Sequence, residues 1–152
     1  MATYTDLSAR FAKLTATIGA INTGMIMQTY YWFSILIVTN GLLLFLLMIN
    51  VSRLRMKHQV AYGDGGNKQL MTSIRVHANG TEQVPIFALA TLALTFAGAT
   101  ELILSSLVII FTLSRFIHAY GMLFRSLTLR QAGAGISYIS QGAAILALLV
   151  FL

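Results

Sequence analysis

The stretch YWFSILIVTNGLLLFLLMI, residues 31–49, runs for 19 residues without a charge. It is led by Tyr30 and followed by Arg53, Arg55 and Lys57. A helix needs about 20 predominantly apolar residues to cross the roughly 30 Å hydrocarbon core of a bilayer, with aromatics at the interfaces and basic residues at the cytoplasmic end. Residues 31–49 meet that description. The whole composition agrees: of 152 residues, 57% are hydrophobic and 9% charged, against about 25% charged in a soluble domain. In a water-soluble protein, ten Lys+Arg against four Asp+Glu, a net charge of +6, would raise nucleic acid as a partner. Here the basic residues report orientation, and no nucleic-acid partner is expected.

Working outward, residues 84–99 are uncharged but number only 16. Their helix is therefore expected to begin earlier and carry part of the polar segment 75–82 into the bilayer. Residues 102–114 number 13 and become a full span only by continuing past Arg115 to about Met122. Residues 132–152 give a clean stretch of 21. The expectation is an all-α integral membrane protein, a four-transmembrane-helix bundle with spans at about 30–51, 74–97, 101–122 and 131–152, forming one domain over 30–152. Gly63-Asp64-Gly65-Gly66-Asn67 reads as a turn between the first two spans, and Ala97-Gly98-Ala99-Thr100 as a reversal. Arg53, Arg55, Lys57 and Lys68 follow the first span, and Arg125 and Arg130 follow the third, so both loops are expected to be cytoplasmic and both termini on the opposite side.

Residues 1–29 do not read as a secretory signal, since no compact apolar region ends in a cleavage pattern. Leu7, Phe11, Leu14, Ile18 and Ile21 recur at helical spacing beside Arg10 and Lys13. This pattern predicts an N-terminal amphipathic helix lying on the membrane or on a partner.

Ionisable residues inside a bilayer are costly and face the protein interior or a wet cavity. At 1.5 Å per residue, Glu82 falls about 7 Å inside the cytoplasmic edge of the second span and Arg115 about 9 Å inside that of the third. Arg75, Asn79 and Glu82 stand at i, i+4 and i+7 and share one face, as do Arg115 and His118 at i, i+3. Tyr120 lies to one side near the interface. An ion pair between Glu82 and Arg115, with Asn79 as an interhelical hydrogen bond, is the structural reading of these residues. It leaves Arg75, Arg125, Arg130, His77 and His118 on the same rim without a carboxylate to match. A small anionic ligand accounts for them, because the guanidinium fork suits carboxylates and phosphates. Glu82 could receive an ammonium group on that ligand.

The segments GDGGN (63–67), RVHANGTE (75–82) followed by Pro85, and RFIHAYG (115–121) resemble the prokaryotic branch of the MAPEG family, the membrane-associated proteins in eicosanoid and glutathione metabolism. The resemblance runs from about Tyr30 to the C-terminus. It implies a trimer with glutathione held near the cytoplasmic side, where it attacks a lipophilic electrophile or reduces a lipid hydroperoxide. Arg75, Asn79 and Glu82 would be second-helix glutathione ligands, and Arg115, His118 and Tyr120 third-helix ones. Arg130, or failing that Arg125, would stabilise the thiolate. A free thiol of pKa about 8.5 is mostly protonated at neutral pH, and a nearby guanidinium lowers that value. Many relatives carry an aromatic where this chain has Gly80 and a tyrosine where it has Gln83. Because the family also includes lipid-binding adaptors, the alternative is a non-catalytic subunit in an assembly of unlike membrane proteins.

Other chemistries are weakly represented. With no cysteine, disulfides, thiolate metal sites and cysteine nucleophiles are excluded. His58, His77 and His118 lack metal-ligand spacing, so no metal is expected. Gly133, Gly135 and Gly142 are expected to permit close approach of the fourth helix.

Overall fold

The computed structural model describes residues 4–151. Among them are α1 (Tyr4–His58), α2 (Lys68–Phe96), α3 (Glu101–Leu123) and α4 (Leu127–Phe151). Met1, Ala2, Thr3 and Leu152, at the ends of the expected extension and last span, lie outside the described residues.

The expected N-terminal amphipathic helix is continuous with the first apolar stretch, because the 55 residues of α1 run without interruption from the extension through it. Nothing in the sequence forces a break there. The chain's one proline, Pro85, lies in α2, and isolated glycines such as Gly19 and Gly24 weaken a helix by about 1 kcal/mol without ending it. Leu14 is exposed, while the side chains of Leu7, Phe11, Ile18 and Ile21 lie outside those described.

The four-transmembrane-helix bundle is corrected. Among the described residues, three stretches are long and apolar enough to cross a membrane by length and composition: Met27–His58, Glu101–Leu123 and Leu127–Phe151. α2 is not among them. Its first half carries Lys68, Arg75, His77, Asn79, Glu82 and Gln83, and the apolar remainder from Val84 to Phe96 rises only about 20 Å. The chain is a multi-pass integral membrane protein with a polar-headed α2 packed against α1, α3 and α4.

Short connections fold the helices back on one another. Asn67 caps α2, its Oδ1 accepting from the amides of Gln69 and Leu70 at 2.9 and 3.0 Å. Gly98, with φ +81°, turns the chain between α2 and α3 in the left-handed conformation that glycine favours. At the opposite end Gln59 (φ +56°) and Arg125 (φ +57°) hold the equivalent positions after α1 and α3 without being glycines. Every lysine and arginine except Arg10, Lys13 and Arg115 gathers at or near this end.

The interior is layered. Leu36, Phe87, Leu94, Leu104, Phe111 and Ala144 form an apolar core toward the Gly98 end, with the rings of Phe87 and Phe111 stacked at 3.8 Å. Leu47, Val76 and Ala119 form a smaller one toward the basic end. Between them lies a polar layer drawn from all four helices. Asn40 Nδ2 donates to Thr112 Oγ1 at 2.9 Å, Ser114 and Ser137 share a hydrogen bond at 2.7 Å, and Arg115 donates to Asn79 Oδ1 at 3.0 Å. Between neutral groups such interhelical bonds contribute roughly 0.6 kcal/mol each within a membrane protein. They also fix the register of each helix against its neighbour. At the Gly98 end the expected aromatic girdle is partly tied down, since Trp32 Nε1 donates to Glu101 Oε1 at 3.2 Å.

Candidate functional site

α3 and α4 meet through two glycines. A Cβ at Gly133 would lie 2.5 Å from the backbone nitrogen of His118 and 2.7 Å from its Cα, and one at Gly121 would overlap the backbone of Arg130. Gly135 and Gly142 face open space, so the expected close approach belongs to Gly133 and not to them. The contact is locked by His118, whose Nδ1 donates to the carbonyl of Arg130 at 3.1 Å. This bond holds the first turns of α4 over the end of α3.

The α3–α4 turn and the head of α2 enclose a cavity of about 400 Å³, within the usual range for small-molecule sites. Lys68 and Arg75 reach it from α2, Arg125 from the turn and Arg130 from α4. No carboxylate is among its described lining residues; Met71, Met122 and Leu127 supply apolar wall, and Thr72 and Ser126 hydroxyls. Of the residues singled out from sequence, Arg75, Arg125 and Arg130 therefore share one cavity. Lys68, Thr72 and Ser126 join them, and no sequence motif marks these three. Lys68 was legible only as a loop charge, and the two hydroxyls carried no signal in a single sequence.

The remaining candidates are placed elsewhere. Arg115 is 2% exposed and its guanidinium is committed to Asn79, while Glu82 lies on the exposed side of α2. The structure thus builds the α2–α3 tie from Arg115 and Asn79. His118 is buried at the α3–α4 contact, with its Nε2 making no hydrogen bond. Tyr120 is exposed and stacks on Phe124 at 4.3 Å. At Gly80, the Leu44 side chain of α1 stands where a Cβ would be, so Leu44 fills the space that a side chain at this position would take.

The buried guanidinium sets a measurable expectation. Asn79→Ala should destabilise the protein by about 2 kcal/mol, because a charged donor loses its hydrogen-bond partner inside the bundle. Asn79→Asp should restore stability by supplying a carboxylate. Thermal unfolding in detergent reads both, and an Asn79→Ala melting temperature equal to that of the native chain would show that the bond contributes nothing.

Comparison with known proteins places these features in a family. Residues 33–150 match the MAPEG family. The inner membrane protein YecN of Escherichia coli, from strain K12 and from strain CFT073, is 34% identical over 110 residues, covering 72% of this chain and 84% of the relative. Family membership supports a lipid-related membrane function, often glutathione-dependent, in a family that contains both catalytic and non-catalytic proteins. The matched region takes in the head of α2, the Arg115–Asn79 tie and the arginine-lined cavity, and on these grounds the chain belongs to the MAPEG family.

Proposed function

We propose that the protein is a glutathione-dependent membrane transferase or peroxidase acting on lipophilic electrophiles. The observation that carries this reading is the convergence of Arg75, Arg125 and Arg130, with Lys68, on one cavity that lacks a carboxylate. Glutathione bears two carboxylates and one ammonium. The cations would hold the carboxylates, and Glu82, on the same helix as Arg75 and exposed, would take the ammonium. Arg130 is the residue that would stabilise the thiolate, with Arg125 beside it as the fallback. Asn79, Arg115, His118 and Tyr120 complete the set of proposed glutathione-binding residues; the first three would act by holding α2, α3 and α4 in place around the cavity. The nucleophile comes from the co-substrate, so a chain without cysteine can run the reaction. In this reading the basic end faces the cytoplasm. The partners are lipids, a lipophilic small molecule and further copies of the chain in a homotrimer.

Purified protein is expected to bind glutathione at millimolar concentration or below and to lower its thiol pKa, seen as ultraviolet thiolate absorbance on mixing. Absence of binding at millimolar glutathione, with the folded assembly intact, would overturn the reading.

A second reading is favoured by the engagement of Arg115, Asn79 and His118 in interhelical bonds. Such a bundle would serve as a non-catalytic lipid-binding subunit among unlike membrane proteins. Gentle purification would then recover different proteins with it, whereas homo-oligomers alone would count against it.

A further inference from the structure

A second cavity, of about 580 Å³, adjoins the first, and Thr72 and Arg125 line both. Its α1 wall consists of Leu43, Leu46, Leu47 and Asn50, which share one helical face at i, i+3, i+4 and i+7. Along that face hydrocarbon gives way to an amide in the direction of the basic end. Opposite, α2 contributes Gln69 and Ser73, and Ser73 Oγ accepts from Asn50 Nδ2 at 3.0 Å, tying the two polar patches together. Phe124 adds apolar surface at the α3 end, and Arg125 is the sole charged residue among the described lining residues.

The lining therefore runs from leucines through amides and hydroxyls to a guanidinium. A phospholipid presents its acyl chain, glycerol ester and phosphate in that same order. Beyond Arg125, the first cavity adds Lys68, Arg75 and Arg130 with no carboxylate, and basic pockets between helices on the cytoplasmic side suit anionic headgroups. Charge complementarity thus selects an anionic lipid over a zwitterionic one. The three leucines match a hydrocarbon chain and have no counterpart in a water-soluble anion.

We infer that the second cavity holds an anionic membrane phospholipid, with its chain against Leu43, Leu46 and Leu47 and its phosphate on Arg125. This goes beyond the glutathione reading: it requires no thiol chemistry, and of the residues assigned to glutathione only Arg125 lines this cavity.

The full chain is placed in nanodiscs containing equal amounts of phosphatidylglycerol and phosphatidylcholine with identical acyl chains, without glutathione. Native mass spectrometry then reads the lipid retained on release. The native chain should retain phosphatidylglycerol about fivefold over phosphatidylcholine, the ratio expected from one arginine at a membrane surface. Arg125→Gly removes the guanidinium that carries the phosphate while relieving the left-handed backbone, so it should diminish this preference at an unchanged or raised melting temperature. Arg125→Lys, which keeps the charge, should retain the preference. Leu46→Gln, at a position that is 55% exposed and so leaves no core void, should lower retention of both lipids. Equal retention of the two lipids by the native chain, an undiminished preference in Arg125→Gly, or complete displacement by millimolar inorganic phosphate would each overturn the inference. None of these readouts involves glutathione, so the lipid site and the glutathione site can fail independently.

Discussion

Gly133→Val is expected to destabilise the protein by about 3 kcal/mol and to dismantle the arginine-lined cavity with it. The added side chain meets the backbone of His118, 2.5 Å away from its first carbon. Backbone within a helix cannot swing aside as a flexible side chain can. α4 must therefore move off α3, which breaks the His118–Arg130 bond and the buried Ser114–Ser137 pair at 2.7 Å. Because Arg125 and Arg130 belong to the turn and first residues of α4, the cavity opens as the contact parts. Thermal unfolding in detergent, paired with glutathione titration, reads both effects. Gly142→Ala provides the control: its Cβ enters open space, and alanine is the better helix former by about 1 kcal/mol, so its stability should be unchanged or higher. Native-like melting of Gly133→Val would show that the Gly133–His118 contact does not hold α4 against α3.

On the glutathione reading, Arg130→Leu should lower the fraction of bound glutathione present as thiolate at neutral pH by about tenfold, because one neighbouring positive charge depresses an acidic group by 1 to 3 pKa units. The sign follows directly. A guanidinium stabilises the thiolate and not the thiol, so its loss raises the thiol pKa and moves the rise in thiolate absorbance to higher pH. Arg125→Gln should shift that rise less if Arg130 is the residue nearest the sulfur, and more if Arg125 is. A pH profile of thiolate absorbance at saturating glutathione separates the two. The fold should survive, because Arg130 is exposed and it is its backbone carbonyl, retained in leucine, that accepts from His118. An unmoved profile in both variants would remove arginine-assisted thiolate formation from this protein.

Much of this architecture was legible in the sequence, and the residues that were not share a physical cause. Residues 31–49 and 132–152 announce membrane helices because burial in lipid is set by side-chain hydrophobicity, a local property summed along the chain. The turn at Gly98 and the cap at Asn67 were readable for the same reason, as each depends on a few adjacent residues. The extent of α1 was not, since a helix whose interior contains no proline ends only where a neighbour or a cap stops it. α2 departs from the expected span because its polar segment 75–82 leaves an apolar remainder too short to cross a bilayer.

Hydropathy and charge along the chain are enough to put the protein in a membrane, to identify its basic end, and to assign Arg75, Arg125 and Arg130 to that end. Matching depth proposed Glu82 as the partner of Arg115, but depth constrains only one coordinate. The tertiary structure turned Arg115 toward Asn79 and left Glu82 outside, because rotation about each helix axis is fixed by the packing of Gly121 and Gly133 against backbone and of Leu44 beside Gly80. Those contacts join residues far apart in the chain, and no local pattern encodes the distance between them. The same packing decided that Lys68, Thr72 and Ser126 stand beside the arginines and that Arg125 divides one cavity from the next.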